Sequence, residues 1–354
     1  MRARIALLVL PVATALAGGC ASVPETITTR AQAPGVELAE YRGDRSQAEK
    51  DKAESKSVEK QDGKNKDAGE KKENGDAEAE KGKPEKKEKK PPKALFEWAV
   101  GPEVAEKPEQ EDRIITDRPD FTEASVTVGQ GRVQLEAGYT YYRDRAAGAT
   151  RVTQTYPEAL LRVGVLSDWL ELRLGSTYEH SRTTAFGQIT EHLSGCDDLY
   201  LGTKVALTEQ KAHLPETAII FQATLPTAAG PLSAGKVLPG INLLFGWDVV
   251  PDFLTVGGSF QGNRVVDDTG HGYIEFAQSL TIGYQLTRQF GAFTEWFAFY
   301  PASAIAPDVT SQHYFNGGFS YLVTPDFQLD IRAGWGLNHH ADDFFAGAGF
   351  AVRY

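Results

Sequence analysis

The sequence predicts an all-β fold: a transmembrane, antiparallel, up-and-down β-barrel of about 12 strands that follows a disordered tether. Three observations predict it. From residue 131 onward, apolar and polar residues alternate in segments separated by turn residues. Most connections between these segments are alternately short and long, with 208–214 as the exception. A short apolar leader and a long charged stretch precede them.

The first element is a predicted signal peptide, residues 1–19. Arg2 and Arg4 precede an apolar run at 5–16, which is shorter than the roughly 20 residues of a membrane-spanning helix. Small residues lead into Cys20 in a pattern that resembles a bacterial lipobox, which implies lipidation of Cys20. The alternative is conventional cleavage close by.

Residues 20–95 are predicted to be a disordered charged linker, because they contain too few apolar residues to offset the entropy of ordering. The net charge of −11 argues against a nucleic-acid partner. Neither Cys20 nor Cys196 has a metal-site spacing. We therefore expect no cofactor and no metal.

Residues 96–131 are predicted to be a periplasmic entry segment or a partial plug. Here Arg118 lies between Asp117 and Asp120, followed in the chain by an apolar-polar strand pattern. Two roles are open. The run is either an entry turn capped by its own Asp side chains, or a constriction that docks on charges inside the barrel and contacts solute.

Residues 132–354 are predicted to form the barrel, with an apolar face toward lipid and a polar face toward the lumen. The twelve predicted strands are 133–143, 152–166, 169–182, 198–207, 216–227, 240–249, 253–264, 272–286, 290–300, 312–323, 327–337 and 343–354. Their short turns are predicted on one side and long loops, such as 183–194, on the other. A soluble β-sandwich would not sort its loops in this way, so the pattern favours a barrel.

The inward-facing charges carry both signs, so they could pair into a closed network or line a narrow aqueous path. The lumen or constriction candidates are Asp117, Arg118, Asp120, Glu136, Arg162, Glu171, Arg173, Asp330 and Arg332. In the last strand, Phe350, Val352 and Tyr354 share the apolar face, and we expect them to act as the signal for the barrel assembly machinery.

The run from Thr116 to Ala124, Thr-Asp-Arg-Pro-Asp-Phe-Thr-Glu-Ala, together with 133–139, closely resembles the opening of the MetA-pathway of phenol degradation family. Its members are regarded as outer-membrane transporters of Gram-negative bacteria. The resemblance implies a channel for small solutes, including aromatic or hydrophobic compounds, embedded in outer-membrane lipid with its tether in the periplasm.

Two other functions are open: a structural or surface-interaction barrel with a closed lumen, and, least favoured, an outer-membrane hydrolase. His180-Ser181 and His192–Ser194 lack the motif that surrounds the catalytic His and Ser of known outer-membrane phospholipases. The sequence therefore indicates that the protein is not an enzyme.

Overall fold

The computed structural model describes residues 92–100, 112–267, 270–306 and 309–354. The predicted signal peptide, Cys20 and most of the predicted linker lie outside these residues. Within the described part, no helix has the length and apolarity needed to cross a bilayer.

One antiparallel sheet makes up the fold. Its strands are β1 (Val133–Ala146), β2 (Ala149–Gly164), β3 (Leu170–Ala185), β4 (Gln188–Cys196), β5 (Leu199–Thr208), β6 (Glu216–Leu225), β7 (Leu238–Val250), β8 (Leu254–Val266), β9 (Gly272–Gln285), β10 (Phe290–Ala302), β11 (Gln312–Thr324), β12 (Phe327–Gly336) and β13 (Phe344–Arg353). Strands that are neighbours in sequence pair with each other, except that β4 and β5 both pair with β3, and β1 also pairs with β13, so the sheet closes into a barrel.

The strands β4 and β5 together act as one strand of the barrel. The first half of β3 pairs with β5 and its second half pairs with β4, with an interruption at Asp197-Asp198. The barrel therefore has the 12 strand positions that the sequence predicts, and the predicted fold class is confirmed.

The predicted long loop 183–194 is wrong. It is a β-hairpin with a two-residue turn at Phe186-Gly187, and β1 and β2 are joined by a similar turn at Ala147-Gly148. Both residues of each turn have positive φ, as type I′ hairpin turns require. The apolar-polar alternation that marks a strand is lost here because residues of this hairpin are polar on both faces.

Apolar side chains cover the outside of the barrel and charged side chains lie inside it, which is the reverse of a soluble protein. Large apolar side chains such as Phe260, Ile331 and Trp335 are about half exposed on the outer face. Charged side chains on the inner face, including Arg162 and Lys204, are fully buried. Lipid would cover the outer face, and closure leaves no unpaired sheet edge in the hydrocarbon region.

Below, the end of the barrel that carries Val133 and Tyr354 is called the terminal end, and the opposite end is called the loop end. At the terminal end, Val133 and Tyr354 exchange two backbone hydrogen bonds of 3.1 and 2.8 Å that extend the pairing of β1 with β13. Residues 93–98 dock at this end as well. Leu95 and Phe96 donate backbone hydrogen bonds to the carbonyls of Ala206 and Leu207 in β5.

Candidate functional site: a plugged lumen

Residues 112–132, the plug segment, enter the barrel from the terminal end and return to the start of β1. At the entry, the Asp112 carboxylate accepts hydrogen bonds from Arg132 and Arg353. The hydrogen bond from Arg132 is the main cause that lowers the pKa of Asp112. At the exit, the Val128 amide donates to Glu171 at 2.9 Å. Both ends of the segment are therefore tied to the wall.

Asp117 is the most heavily bound residue of the plug segment. Its carboxylate meets three cations of the wall, namely Arg173 at 2.6 Å, Lys204 at 3.1 Å and Arg162 at 3.4 Å. These three are called the cation cluster. Asp117 also accepts a hydrogen bond from the Ala124 amide at 2.9 Å, which closes a turn within the plug segment. The two roles left open by the sequence, a self-capped turn and docking on lumen charges, are thus combined in one side chain.

Two wall carboxylates bind the cation cluster from the other side. Glu171 accepts from Arg162 at 2.8 Å and from Arg173 at 3.1 Å. Glu136 accepts from Arg162 at 2.9 Å and from the backbone amide of Asp117. Positive and negative side chains therefore alternate in this network. Each buried charge has a partner of opposite sign, because a buried charge without one is strongly destabilising.

Arg118 points in the opposite direction from Asp117 and binds acids on β2 and β12. Its guanidinium lies 2.8 Å from Glu158 and 3.3 Å from Asp330. Glu158 lies at a β-bulge of β2, where the register of pairing shifts between Tyr156 and Ala159. Bulges re-aim side chains, and this one lies where β2 supplies an acid to Arg118.

Glycines on β1 and β13 make room for Arg118. A Cβ atom at Gly138 would lie 2.4 Å from the Arg118 guanidinium, and one at Gly349 would lie 2.4 Å from its Nε. Both positions face the lumen. The glycines thus form the slot that admits this side chain.

Further along the plug segment, the contacts change from charged to polar and aromatic. The backbone amides of Phe121 and Thr122 both donate to Glu295 at 2.7 Å. The Phe121 ring stacks on Phe297 with centroids 4.6 Å apart. Together with neighbouring rings of the inner wall it forms an aromatic cluster: Phe121, Phe297, Phe299, Tyr314 and Phe345.

A cavity of about 360 Å³ remains beside the plug segment. Arg118, Asp120 and Phe121 line it from the plug, while Tyr200, Gln222 and Gln261 line it from the wall. The plug segment therefore narrows the lumen and leaves a cavity that is lined mostly by charged and polar residues, with the rings of Phe121 and Tyr200 at its boundary.

The structure brings the nine lumen candidates into one region. Seven take part in the ion pairs described above, Asp120 lines the cavity, and Arg332 donates to the Pro119 carbonyl at 3.1 Å and to Thr140 at 3.0 Å. Phe350 and Val352 lie on the outer face of β13, and Tyr354 is exposed at the terminal end. Their role in assembly stays a prediction.

Several lumen residues were not among the predicted sites. Glu123 binds Arg173 and also accepts from Asn242 at 2.8 Å, and Glu295 anchors the plug segment. Strand alternation assigns Glu295 to the inner face of β10 but cannot indicate its partner. The inward position of Phe345 was also predictable from the sequence, because neighbouring residues of a strand point to opposite faces and Phe344 lies on the apolar outer face.

Two comparisons with known proteins agree with this barrel. The model of the MetA-pathway of phenol degradation family matches residues 116–354, which is more than half of the chain. Among solved structures, the COG4313 outer membrane channel from Pseudomonas putida F1 shares the fold with a TM-score of 0.53 at 13% identity, covering 65% of this chain and 98% of that chain.

A more distant likeness is to the CymD monoaromatic hydrocarbon channel, with a TM-score of 0.34 at 10% identity over 64% of this chain and 89% of that one. No curated protein matches the chain. The family match confirms the resemblance found in the sequence, and the fold is that of an outer-membrane, channel-like barrel. The protein thus belongs to the MetA-pathway of phenol degradation family.

Proposed function

We propose that this protein is an outer-membrane channel for small solutes, with the plug segment as its constriction. The carrying observation is the polar cavity of about 360 Å³ between the plug segment and the wall. A barrel that served only as a scaffold would have no need for an internal polar space beside a separately tethered segment. The terminal end would face the periplasm and the loop end the exterior.

Small aromatic and other ring-sized compounds are the solutes that we propose. The cavity is bounded by Phe121, whose ring belongs to the aromatic cluster, by neutral polar side chains on one wall, and by charged side chains of the plug segment and the remaining wall. The family's description, which refers to phenol degradation, is consistent with this class. Bulky solutes would not pass the plug segment in the arrangement described here.

Proteoliposome swelling and planar-bilayer conductance test the proposal. We expect swelling with five- and six-carbon sugars, little swelling with trisaccharides, and small single-channel steps. Empty liposomes and liposomes containing the heat-denatured protein serve as controls. If the folded protein gives neither swelling nor conductance steps, the channel function is refuted.

The second candidate is a structural or surface-interaction barrel with a closed lumen. The observation in its favour is the full burial of Glu136, Arg162 and Glu171, which ties the plug segment into a dense ion-pair network. Such a barrel would conduct nothing at any salt concentration, because salt screens buried ion pairs only weakly. A channel would conduct without any treatment that breaks these ion pairs.

We further propose that Cys20 is lipidated and that the linker extends through the periplasm. The supporting observation is the small-residue pattern before Cys20. Metabolic labelling with a fatty-acid analogue would detect the lipid, and Cys20→Ser should abolish the label. Ser22→Ala, two residues further along the chain, is the control and should keep the label. Persistence of the label in Cys20→Ser would refute the anchor.

A further inference from the structure

We propose that the cavity beside the plug segment is a binding site for one neutral, hydroxyl-bearing six-membered ring. This inference rests on the proposed channel function and assigns the chemical class of its solute. It is carried by a row of neutral hydrogen-bonding side chains on one wall of the cavity, by the ring of Phe121, and by the charges around both.

The row of side chains, called the amide ladder, consists of Tyr200, Gln222, Asn263 and Gln261. The Tyr200 hydroxyl donates to Gln222 at 3.2 Å, Gln222 donates to Asn263 at 2.8 Å, and Asn263 donates to Gln261 at 3.3 Å. Tyr200, Gln222 and Gln261 line the cavity. The ladder thus presents neutral donors and acceptors in a fixed order.

Gly240 allows the amide ladder to cross a strand. Gln222 belongs to β6 and Asn263 to β8, and β7 lies between them, with Gly240 opposite both residues. A Cβ atom at Gly240 would lie 2.0 Å from the Asn263 side-chain oxygen. The missing side chain at this position is what permits the two amides to meet over the strand.

The amide ladder keeps hydrogen-bonding capacity for a ligand. A Gln side chain has two N–H donors and an oxygen that accepts twice. In the ladder, Gln222 uses one donor and one acceptor site, and Gln261 uses one acceptor site. A hydroxyl group both donates and accepts, so it matches what the ladder offers better than a purely apolar or purely accepting group does.

The charges of the lining select against anions, and most of its carboxylates already have a cationic partner in the protein. The cavity lining contains five carboxylates and two guanidinium groups, so a free anion is repelled. Four of those carboxylates, those of Asp117, Glu123, Glu136 and Glu158, are already paired with an Arg or Lys of the plug or wall. A neutral ligand therefore has the smallest desolvation cost when it enters the cavity.

The size of the cavity admits one ring with accompanying water. A cavity of roughly 150 Å³ is enough to hold benzene, and this one measures about 360 Å³. Phe121 supplies an apolar face against which a ring can pack, since its ring lies at the cavity boundary. Both a phenolic ring and a cyclic polyol satisfy this shared chemistry.

Saturation-transfer NMR on the full-length protein in detergent distinguishes the two sources of such a ring. The probes are phloroglucinol, a neutral trihydroxybenzene, and myo-inositol, a cyclic polyol, with benzoate as the anionic comparison. We expect saturable binding of at least one neutral probe and weaker binding of benzoate. Phloroglucinol alone would indicate that ring stacking selects the ligand, inositol alone that hydroxyl groups do, and both that the shared chemistry does.

Substitutions in the amide ladder complete the test. Gln222→Leu and Gln261→Leu, of similar size to the native residue, should each weaken binding about three- to tenfold, as the loss of one hydrogen bond predicts. Gln278→Leu is the matched control, because Gln278 lies on the outer face and binds Tyr300. Heat-modifiable migration in SDS gels verifies that each variant is folded.

No saturable binding of either neutral probe, benzoate binding as tight as theirs, or unchanged affinity in both ladder variants would overturn the proposal. These outcomes are separable from failure of the channel. Swelling without binding would leave the channel intact and remove the site, whereas binding without swelling or conductance would leave a ligand site in a closed barrel.

Discussion

Single residues in the lumen are under an unusual constraint, because buried charges must be compensated locally. Asp117 is the residue on which this compensation depends most, since one carboxylate faces Arg162, Arg173 and Lys204. Removing one member of a buried ionic group typically costs about 3–5 kcal/mol, since its partners are left without a counter-charge. This loss would weaken the binding of the plug segment to the wall and not the barrel itself, because the strands pair without the plug segment.

Asp117→Asn should therefore loosen the plug segment and leave three cations with two wall carboxylates. We expect more frequent opening in planar bilayers and a shift of selectivity toward anions, measured as the reversal potential in a salt gradient. Asp252→Asn is the control, since Asp252 is exposed in a turn with positive φ that Asn tolerates. Unchanged gating and selectivity in Asp117→Asn would contradict the assigned role.

Gly138→Ala tests the slot for Arg118 with one added methyl group. The new Cβ would lie 2.4 Å from the guanidinium of Arg118, with no backbone atom among the nearest contacts. We expect Arg118 to move away from Glu158 and Asp330. This movement should raise the single-channel conductance, but by less than deletion of residues 113–127 does. Gly262→Ala adds the same methyl in β8, where its nearest neighbours are 3.7 Å away, and should have no effect.

The plug segment is an element with no regular secondary structure of its own, and its conformation depends on the wall. Its hydrogen-bond acceptors come from β1, β3 and β10, through Glu136, Glu171 and Glu295. The strands hold one another by backbone ladders that do not include the plug segment. The barrel should therefore fold without it.

Deleting residues 113–127 should raise single-channel conductance severalfold while the protein keeps its heat-modifiable migration in SDS gels. The physical reason is that the segment narrows the lumen but takes no part in strand pairing. An equal-length deletion of 60–74, within the predicted linker, is the control. If the first deletion leaves conductance unchanged, the segment does not form the constriction.

The whole molecule depends on closure at one seam, where β1 meets β13. Tyr354 extends this seam by its two backbone hydrogen bonds with Val133, and its side chain is 73% exposed. An exposed aromatic at the terminal end of the last strand is available for recognition before the barrel closes. This placement agrees with the predicted assembly signal without testing it.

Tyr354→Ala should lower the amount of folded barrel recovered from outer membranes severalfold, because the aromatic group is lost while the backbone pairing is kept. Tyr354→Phe retains the ring and should assemble normally. The measurement is heat-modifiable protein in the membrane fraction, relative to total protein. Equal assembly of Tyr354→Ala and the native protein would show that the side chain is not a signal.

The barrel itself was predictable from the sequence, because a period of two follows directly from strand geometry and a lipid-facing surface must be apolar. Leu329 and Ile331 against Asp330 and Arg332 already separate the two faces of β12. The hairpin of β3 and β4 was missed because its residues are polar on both faces and so carry no alternation. The inward-facing charges of the strands were also predictable, because alternate residues of a strand point to the same face.

The sequence by itself determined the fold class, the sidedness of the strands that alternate, and the presence of a charged segment before the first strand. Only the tertiary structure decided which charges meet. Asp117 binds cations from β2, β3 and β5, while Arg118, its neighbour in the chain, binds acids from β2 and β12. Alternation fixes the face on which a side chain lies, but barrel closure and the path of the plug segment bring residues more than 200 positions apart, such as Arg118 and Asp330, into contact.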